Sequence, residues 1–175
     1  SSIVKLVIEK KGNADVITAT NVFAHISDIN RVVENVKAML KKDGIFVIEI
    51  QYLIDTIEKM TFDNIYHEHL YYYTLTSLIN FFKKHGMDVF DVKRVDSHGG
   101  SLRVFIKRAE DKHKIKDSVN KILDYETKMG VESIDLYKKF GNNVYSVKEK
   151  LVSCIKGIKK HGKTIAAYGA PAKGN

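Results

Sequence analysis

The chain has 175 residues, which is enough for one compact domain and a smaller extension. Its hydrophobic fraction of 44% is ordinary, and no apolar run approaches the roughly 20 residues of a membrane-spanning helix, so no membrane span is expected. Cys154 is the single cysteine, which excludes an internal disulfide or a cysteine-rich zinc cluster in this sequence and favours a cytoplasmic location.

The net charge of +8 is compatible with a polyanionic partner such as nucleic acid. Most of the basic residues, however, are lysines that stand among Asp and Glu in segments of helical periodicity. This pattern is typical of a solvated surface, so nucleic acid is not the expected partner. A non-catalytic, basic interaction module that binds nucleic acid is kept as the alternative to an enzyme.

The first elements predicted along the chain form a βαβ unit. Residues 15–19 are a short β-branched run typical of a buried strand, and residues 45–50 form a second apolar strand. Between them, apolar residues at helical spacing predict a helix over 28–40, capped by Ser27 or Asp28. Short connections between the three elements predict a right-handed crossover and a parallel pair of strands.

A polar and aromatic segment separates two further predicted helices. A short helix is expected over 53–60, and an aromatic, histidine-rich run follows at 62–73. The next helix is predicted over 77–85, with Thr76 as its cap and Gly86 as its end.

The remaining pattern predicts a hairpin, helices and a last strand. Residues 87–95 and 102–107 alternate like two antiparallel strands joined at Gly99-Gly100. A helical periodicity then runs over 114–160, and we expect interruptions near Gly130 and Gly141. The predicted last strand, over 163–168, opens into a glycine-containing loop.

The run 62–73 is the strongest candidate for a functional site, because it gathers two imidazoles, a carboxylate and several phenols. A surface loop with packed aromatics and solvent-facing histidines is the structural alternative. A zinc site with His25, His67 and His69 is a further alternative. The adjacent histidines lack the helical spacing of known zinc motifs, so no metal is expected in this chain.

Other candidates lie at predicted strand ends and loops. Asn21 and His25 follow the first strand, where open α/β sheets bind ligands, although a turn-forming Asn and a helix-capping His would look the same. Arg103 could pair with a phosphate or simply be exposed. The loop at 169–174 has the spacing of a weak phosphate-binding motif. A nicotinamide-binding domain built on it ranks low, because the chain stops before the required helix and strand.

Four segments together carry a resemblance to a known family. They are 15–26, Tyr66-His67-Glu68-His69, Gly99 to Arg103, and Ala167 to Asn175. In this order they resemble the sugar C-methyltransferases of deoxysugar biosynthesis. The resemblance implies an α/β fold: the second half of a Rossmann-like S-adenosylmethionine (SAM) methyltransferase sheet, and a helical extension into a C-terminal Rossmann-like domain. We therefore expect residues 1–110 to be that half-domain and 111–175 to be the connector with the first strand and loop of the C-terminal domain.

The family also implies a zinc-binding N-terminal domain and a glycine-rich SAM loop, which this sequence does not contain. The chain has no initiator Met and no signal pattern at its start, so we expect a truncated chain. Because the strand at 15–19 would normally lie inside the complete sheet, one of its edges should be bare or covered in an unusual way.

The reaction that the resemblance implies is methyl transfer from SAM to a carbon beside a keto group of a nucleotide-linked deoxysugar. His69 would be the base that forms the enolate, Glu68 its orienting partner, and Tyr66 a residue that positions the methyl donor or binds the enolate oxygen. These three cannot face one site from a regular strand, so an irregular loop is expected. The remaining implied site residues are His25 (catalytic), Asn21 (cofactor) and, on the substrate side, Arg103, Tyr168, Gly169, Lys173 and Asn175.

Overall fold

The computed structural model describes residues 2–169. The helices are α1 (Ser2–Lys11), α2 (Ile29–Met39), α3 (Leu53–Glu58), α4 (Leu75–Lys84), α5 (Asp117–Met129) and α6 (Ile134–Lys160). The strands are β1 (Ala14–Thr20), β2 (Leu40–Gln51), β3 (Met87–Val95) and β4 (Ser101–Arg108), and single 3₁₀ turns lie at Phe23–His25, Phe62–Asn64 and Ser97–Gly99. Within this part of the chain no helix is long and apolar enough to cross a membrane.

The four strands form one mixed sheet in the order β1-β2-β4-β3. β1 and β2 are parallel, as the predicted βαβ unit requires, whereas β4 is antiparallel to both of its neighbours. The hairpin of β3 and β4 therefore folds back so that its second strand lies against β2. This mixed α/β sheet confirms the predicted fold class.

The core lies between the sheet and the helices α2, α4 and α5. Alternate residues of β2, namely Phe46, Ile48 and Ile50, are fully buried because successive side chains of a strand point to opposite faces. Phe23 and Phe82 pack on this row, with ring centroids 6.1 Å apart. Burial of such aromatic side chains is the largest apolar contribution to the stability of a small domain.

β1 is an edge strand in the described part of the chain, since it pairs there with β2 alone. Its burial is correspondingly low, and Val16 is 52% exposed. The predicted bare edge is thus confirmed.

Several predicted boundaries were wrong. α1 was not predicted at all, although Val4, Val7 and Ile8 have helical spacing. The cap of α4 is Thr74 rather than Thr76, because Thr74 and Ser77 satisfy each other's backbone N–H groups in a capping box. α2 is capped as predicted by Asp28, which accepts a hydrogen bond from the Arg31 N–H.

The C-terminal predictions need two corrections. α6 runs through Gly141 without a break, because a glycine in a helix costs only about 1 kcal/mol and the flanking turns continue the helix. The predicted interruption at Gly130 is confirmed, since this residue ends α5 in a left-handed conformation. Residues 163–169 form no strand, because no other described strand pairs with them.

A buried carboxylate fixes the start of α4. Glu126, fully buried on α5, accepts hydrogen bonds from Leu75 N (2.5 Å), Thr76 N (2.8 Å) and Thr76 Oγ1 (2.6 Å). A carboxylate in this position satisfies free N–H groups of the first turn and lies at the positive end of the helix dipole. It therefore ties α5 to the helix that covers the sheet.

We expect Glu126→Ala to destabilise the fold by about 3 kcal/mol, because it leaves several buried donors without an acceptor. Urea denaturation followed by circular dichroism measures this change. Asp124→Asn, at an exposed position of the same helix, is the matched control and should stay within about 0.5 kcal/mol of the parent. Equal stability of all three proteins would show that the Glu126 bonds contribute nothing.

Candidate active site

A cavity of about 340 Å³ opens at the carboxyl ends of β1 and β2. Its lining residues come from the strand ends, three 3₁₀ turns and the histidine-rich loop: Asn21, Ala24, His25, Ile50, Gln51, Asn64, Tyr66, His69 and His98. Four of the predicted site residues, Tyr66, His69, His25 and Asn21, are thus brought together at one place. The carboxyl edge of a sheet is where open α/β folds bind ligands.

The segment that carries Tyr66 and His69 is an irregular loop, as predicted. A backbone hydrogen bond of 3.0 Å from His69 N to Tyr66 O closes a tight turn within it. A second bond of 2.9 Å, from Leu70 N to Ala24 O, ties the loop to the 3₁₀ turn at Phe23–His25. Both tyrosine and histidine can therefore face the cavity, which a strand would not allow.

The ring of His69 is oriented by the backbone. Its Nδ1 lies 2.8 Å from the carbonyl oxygen of Asn64, and a carbonyl can only accept, so Nδ1 carries the proton. In the neutral ring the lone pair is then on Nε2. The rings of Tyr66 and His25 lie beside it, with centroid distances of 4.5 Å and 4.8 Å.

Glu68 is exposed and lies next to Tyr66. The Tyr66 hydroxyl donates a hydrogen bond of 3.3 Å to Glu68 Oε2. Desolvation and the nearby Glu68 carboxylate raise the pKa of Tyr66, so the phenol keeps its proton at neutral pH and remains a donor. The role predicted for Glu68, orienting His69, stays a prediction, whereas its hydrogen bond here goes to Tyr66.

Glu49, at the end of β2, connects three segments behind the cavity. Its carboxylate is nearly buried and accepts from Ser97 Oγ (2.8 Å) and from Arg103 Nε and Nη2 (2.9 and 2.7 Å). Its carbonyl accepts from Asn21 N at 2.8 Å. These bonds to Ser97 and Arg103 lower the pKa of Glu49.

Arg103, predicted to bind substrate phosphate, has its guanidinium paired with Glu49 across the β2–β4 ladder. A phosphate role for it stays a prediction. Tyr168 is fully exposed, and neither it nor Gly169 lines the cavity. Lys173 and Asn175 lie outside the described residues.

Three polar cavity residues were missed from the sequence: Gln51, Asn64 and His98. Gln51 could have been found, because it follows the second predicted parallel strand as Asn21 follows the first. Asn64 acts through its backbone carbonyl, which no side-chain pattern shows. His98 directly precedes the predicted Gly99-Gly100 turn and was not singled out. Over residues 2–169 the structure shows no group of three or more metal-ligating side chains.

Comparison with known proteins supplies the family. A profile described as a methyltransferase domain matches residues 5–92, which is half of the chain. The chain belongs to the methyltransferase family. A second profile, described as the C-methyltransferase C-terminal domain, matches residues 96–175. These matches bear out the resemblance to C-methyltransferases.

Individual relatives agree with this assignment. The methyltransferase chain is 37% identical over 166 residues to C-methyltransferase NovU of Streptomyces niveus. The match covers 95% of this chain and 40% of the relative, so the chain spans less than half of that protein. A solved structure, magnesium protoporphyrin IX methyltransferase from Synechocystis PCC 6803 with bound SAH, is 7% identical with a TM-score of 0.43, covering 55% of this chain and 45% of that one. A likeness at that level supports no conclusion.

We expect Glu49→Gln to lose about 1 to 3 kcal/mol of stability at pH 7, the contribution of hydrogen bonds to a charged group. Because the folded pKa of Glu49 is lowered, its stabilising effect is present above the unfolded pKa of about 4.3 and is lost as pH falls through the folded value. Urea denaturation should therefore show a large difference in the free energy of unfolding between the parent and Glu49→Gln at pH 7. Near pH 3 the difference should be small. A difference independent of pH would contradict an ionic role.

Proposed function

We propose that the protein containing this chain transfers a methyl group from SAM to a carbon beside the keto group of a nucleotide-linked deoxysugar, in the cytoplasm. The observation that carries the proposal is the His69 ring, held by the Asn64 carbonyl at a cavity that Tyr66 also lines. The C-methyltransferase matches support carbon as the methylated atom. They also favour an enzyme over a basic nucleic-acid-binding module.

The chemistry requires a base. A hydrogen on the carbon beside a ketone must leave as a proton before that carbon can act as a nucleophile. An imidazole with an ordinary pKa near 6.5 is largely neutral at pH 7 and accepts such a proton. In the tautomer set by Asn64, Nε2 of His69 is the accepting atom.

The negative charge that develops on the ketone oxygen needs a donor. Tyr66 is protonated at neutral pH, as an ordinary phenol is and as its raised pKa reinforces, and its ring centroid lies 4.5 Å from that of His69. In the complex, its one hydroxyl proton would leave Glu68 and be donated to the enolate oxygen, an interaction that is stronger in the transition state than in the ground state. His25, whose ring also lies beside His69, is proposed as a further donor at this oxygen.

SAM, when bound, supplies the electrophilic methyl group. The residues that line the cavity fit only the end of SAM that carries the sulfonium methyl group. Asn21 presents an amide at the β1 end of the cavity, whereas the cavity lining includes no carboxylate that could hold a ribose and no glycine-rich loop. Asn21 is the residue that we propose for the cofactor.

We expect the 175-residue chain alone to bind SAM weakly or not at all, because the parts that hold the nucleoside of such cofactors are not among its residues. Isothermal calorimetry tests this directly. Micromolar affinity would show that the residues of this chain suffice for binding and would contradict the expectation.

In the full-length enzyme, His69→Asn should lower kcat by about 10² to 10⁴-fold and leave KM nearly unchanged, because it removes general-base catalysis but no ground-state binding. Glu68→Gln should have a smaller effect, since Glu68 is proposed to act through a neighbouring side chain. Steady-state kinetics with saturating SAM measure both.

His67→Asn is the matched control, because His67 is adjacent, exposed and absent from the cavity lining, and it should keep activity within about threefold. Hydrogen exchange at the sugar carbon gives a second measurement. The parent enzyme should exchange a deuterium there with solvent, and His69→Asn should not. Full turnover together with full exchange in His69→Asn would refute the assignment of the base.

A further inference from the structure

His98 lines the same cavity as Tyr66 and His69 but comes from a different part of the fold. It is the middle residue of the 3₁₀ turn Ser97–Gly99, which joins β3 to β4. Its side chain is exposed at the cavity. It is a third imidazole there, beside His25 and His69.

The backbone of His98 is in the left-handed region, with φ 51° and ψ 34°. A residue with a side chain pays free energy for this conformation, which persists only where the surroundings determine it. Two hydrogen bonds to the Ser97 carbonyl do so here, from Gly100 N (2.9 Å) and from Ser101 Oγ (3.0 Å). The Ser97 hydroxyl is in turn bound to Glu49.

The following residue fixes the turn from the other side. A Cβ on Gly100 would lie 2.2 Å from Cγ of Asp55, so the turn packs directly on this buried carboxylate. Arg94 donates two hydrogen bonds to the Asp55 carboxylate, from Nε at 3.0 Å and from Nη2 at 2.9 Å. These bonds hold the carboxylate in its place beside Gly100. The backbone of His98 is therefore held by its surroundings, which fixes the point from which the ring enters the cavity.

The strand order indicates which ligand His98 meets. Its turn lies beyond β2, on the side of β4 and β3, whereas Asn21 lies on the side of β1, the open edge. The cofactor half of a methyltransferase sheet would continue from that open edge. His98 is thus on the side of the cavity away from the cofactor, where the acceptor must lie.

We propose that His98 is a substrate-contacting residue whose ring hydrogen-bonds an oxygen of the acceptor sugar. The proposal rests on the proposed function. A site that hydrogen-bonds a sugar oxygen discriminates against analogues that lack it, because the protein group would be left without its partner. His98 therefore contributes to the choice of acceptor and leaves proton removal to His69.

Two substitutions distinguish the contribution of the His98 ring from that of its backbone conformation. His98→Asn and His98→Gly both tolerate a left-handed conformation, since Asn adopts it more readily than most residues and Gly does so freely. If His98 only shaped the turn, both variants would keep full activity. If the ring contacts the acceptor, both should lose about 10-fold or more in kcat/KM for the sugar, while the affinity for SAM changes less than about twofold.

The experiment uses the full-length enzyme, with His85→Asn as the matched control. His85 ends α4, where its ring is bonded to Asn30, and it does not line the cavity. Kinetics with the sugar nucleotide and calorimetry with SAM are measured for all four proteins. Retained kcat/KM in both His98 variants, or an equal loss of SAM affinity, would overturn the proposal. Inactivity of the parent enzyme would instead refute the proposed function.

Discussion

The carboxylate of Glu49 is the constraint on which the geometry of the cavity depends. It lies near the end of β2 and accepts hydrogen bonds from the turn before β4 and from β4 itself, while the backbone carbonyl of the same residue accepts from Asn21 N at the end of β1. Two residues with side chains in the left-handed conformation, Asn21 and His98, lie on either side of it. The bond from Asn21 N to the Glu49 carbonyl and the bond from the Ser97 hydroxyl to the Glu49 carboxylate help to hold both segments in that conformation.

Burial alone would make an ionised Glu49 costly, and the structure offsets this cost with a matched partner. The Arg103 guanidinium, which lies directly opposite in the ladder, supplies two charged donors to Glu49 Oε2, and Ser97 supplies a donor to Oε1. The pair is therefore part of the fold as well as of the site. The guanidinium of Arg103, which the sequence suggests for phosphate binding, is therefore paired within the sheet with Glu49.

The sequence predicted the elements best where one physical rule acts alone. Apolar runs located β1 and β2, and helical spacing located α2, because each of these elements packs residues against the same core. The cap of α4 was misplaced by two residues although its capping box, Thr74 with Ser77, is local, whereas the bonds from the same turn to Glu126, about 50 residues away, are revealed by no local pattern. The strand predicted at 163–168 has suitable residues but no described partner, and a strand is stable only when its backbone groups are paired.

The residues of the site could likewise be predicted only in part. Chemically unusual residues, such as those at Tyr66 and His69, stand out in the sequence, whereas contributions from the backbone do not. The Asn64 carbonyl that sets the tautomer of His69 is a product of the turn geometry and could not be inferred from residue type. His98 was overlooked for a related reason, since its importance depends on a φ angle and on packing against Asp55.

The exposed edge of β1 has a consequence for the behaviour of this chain in solution. A strand whose outward N–H and C=O groups lack partners can recruit a strand from another molecule, and Val16 adds apolar surface there. Concentrated samples would then form edge-to-edge assemblies, in which sheets of separate molecules join into a longer one. A lysine in place of Val16 would oppose such joining by charge repulsion, at a position far from the chemistry.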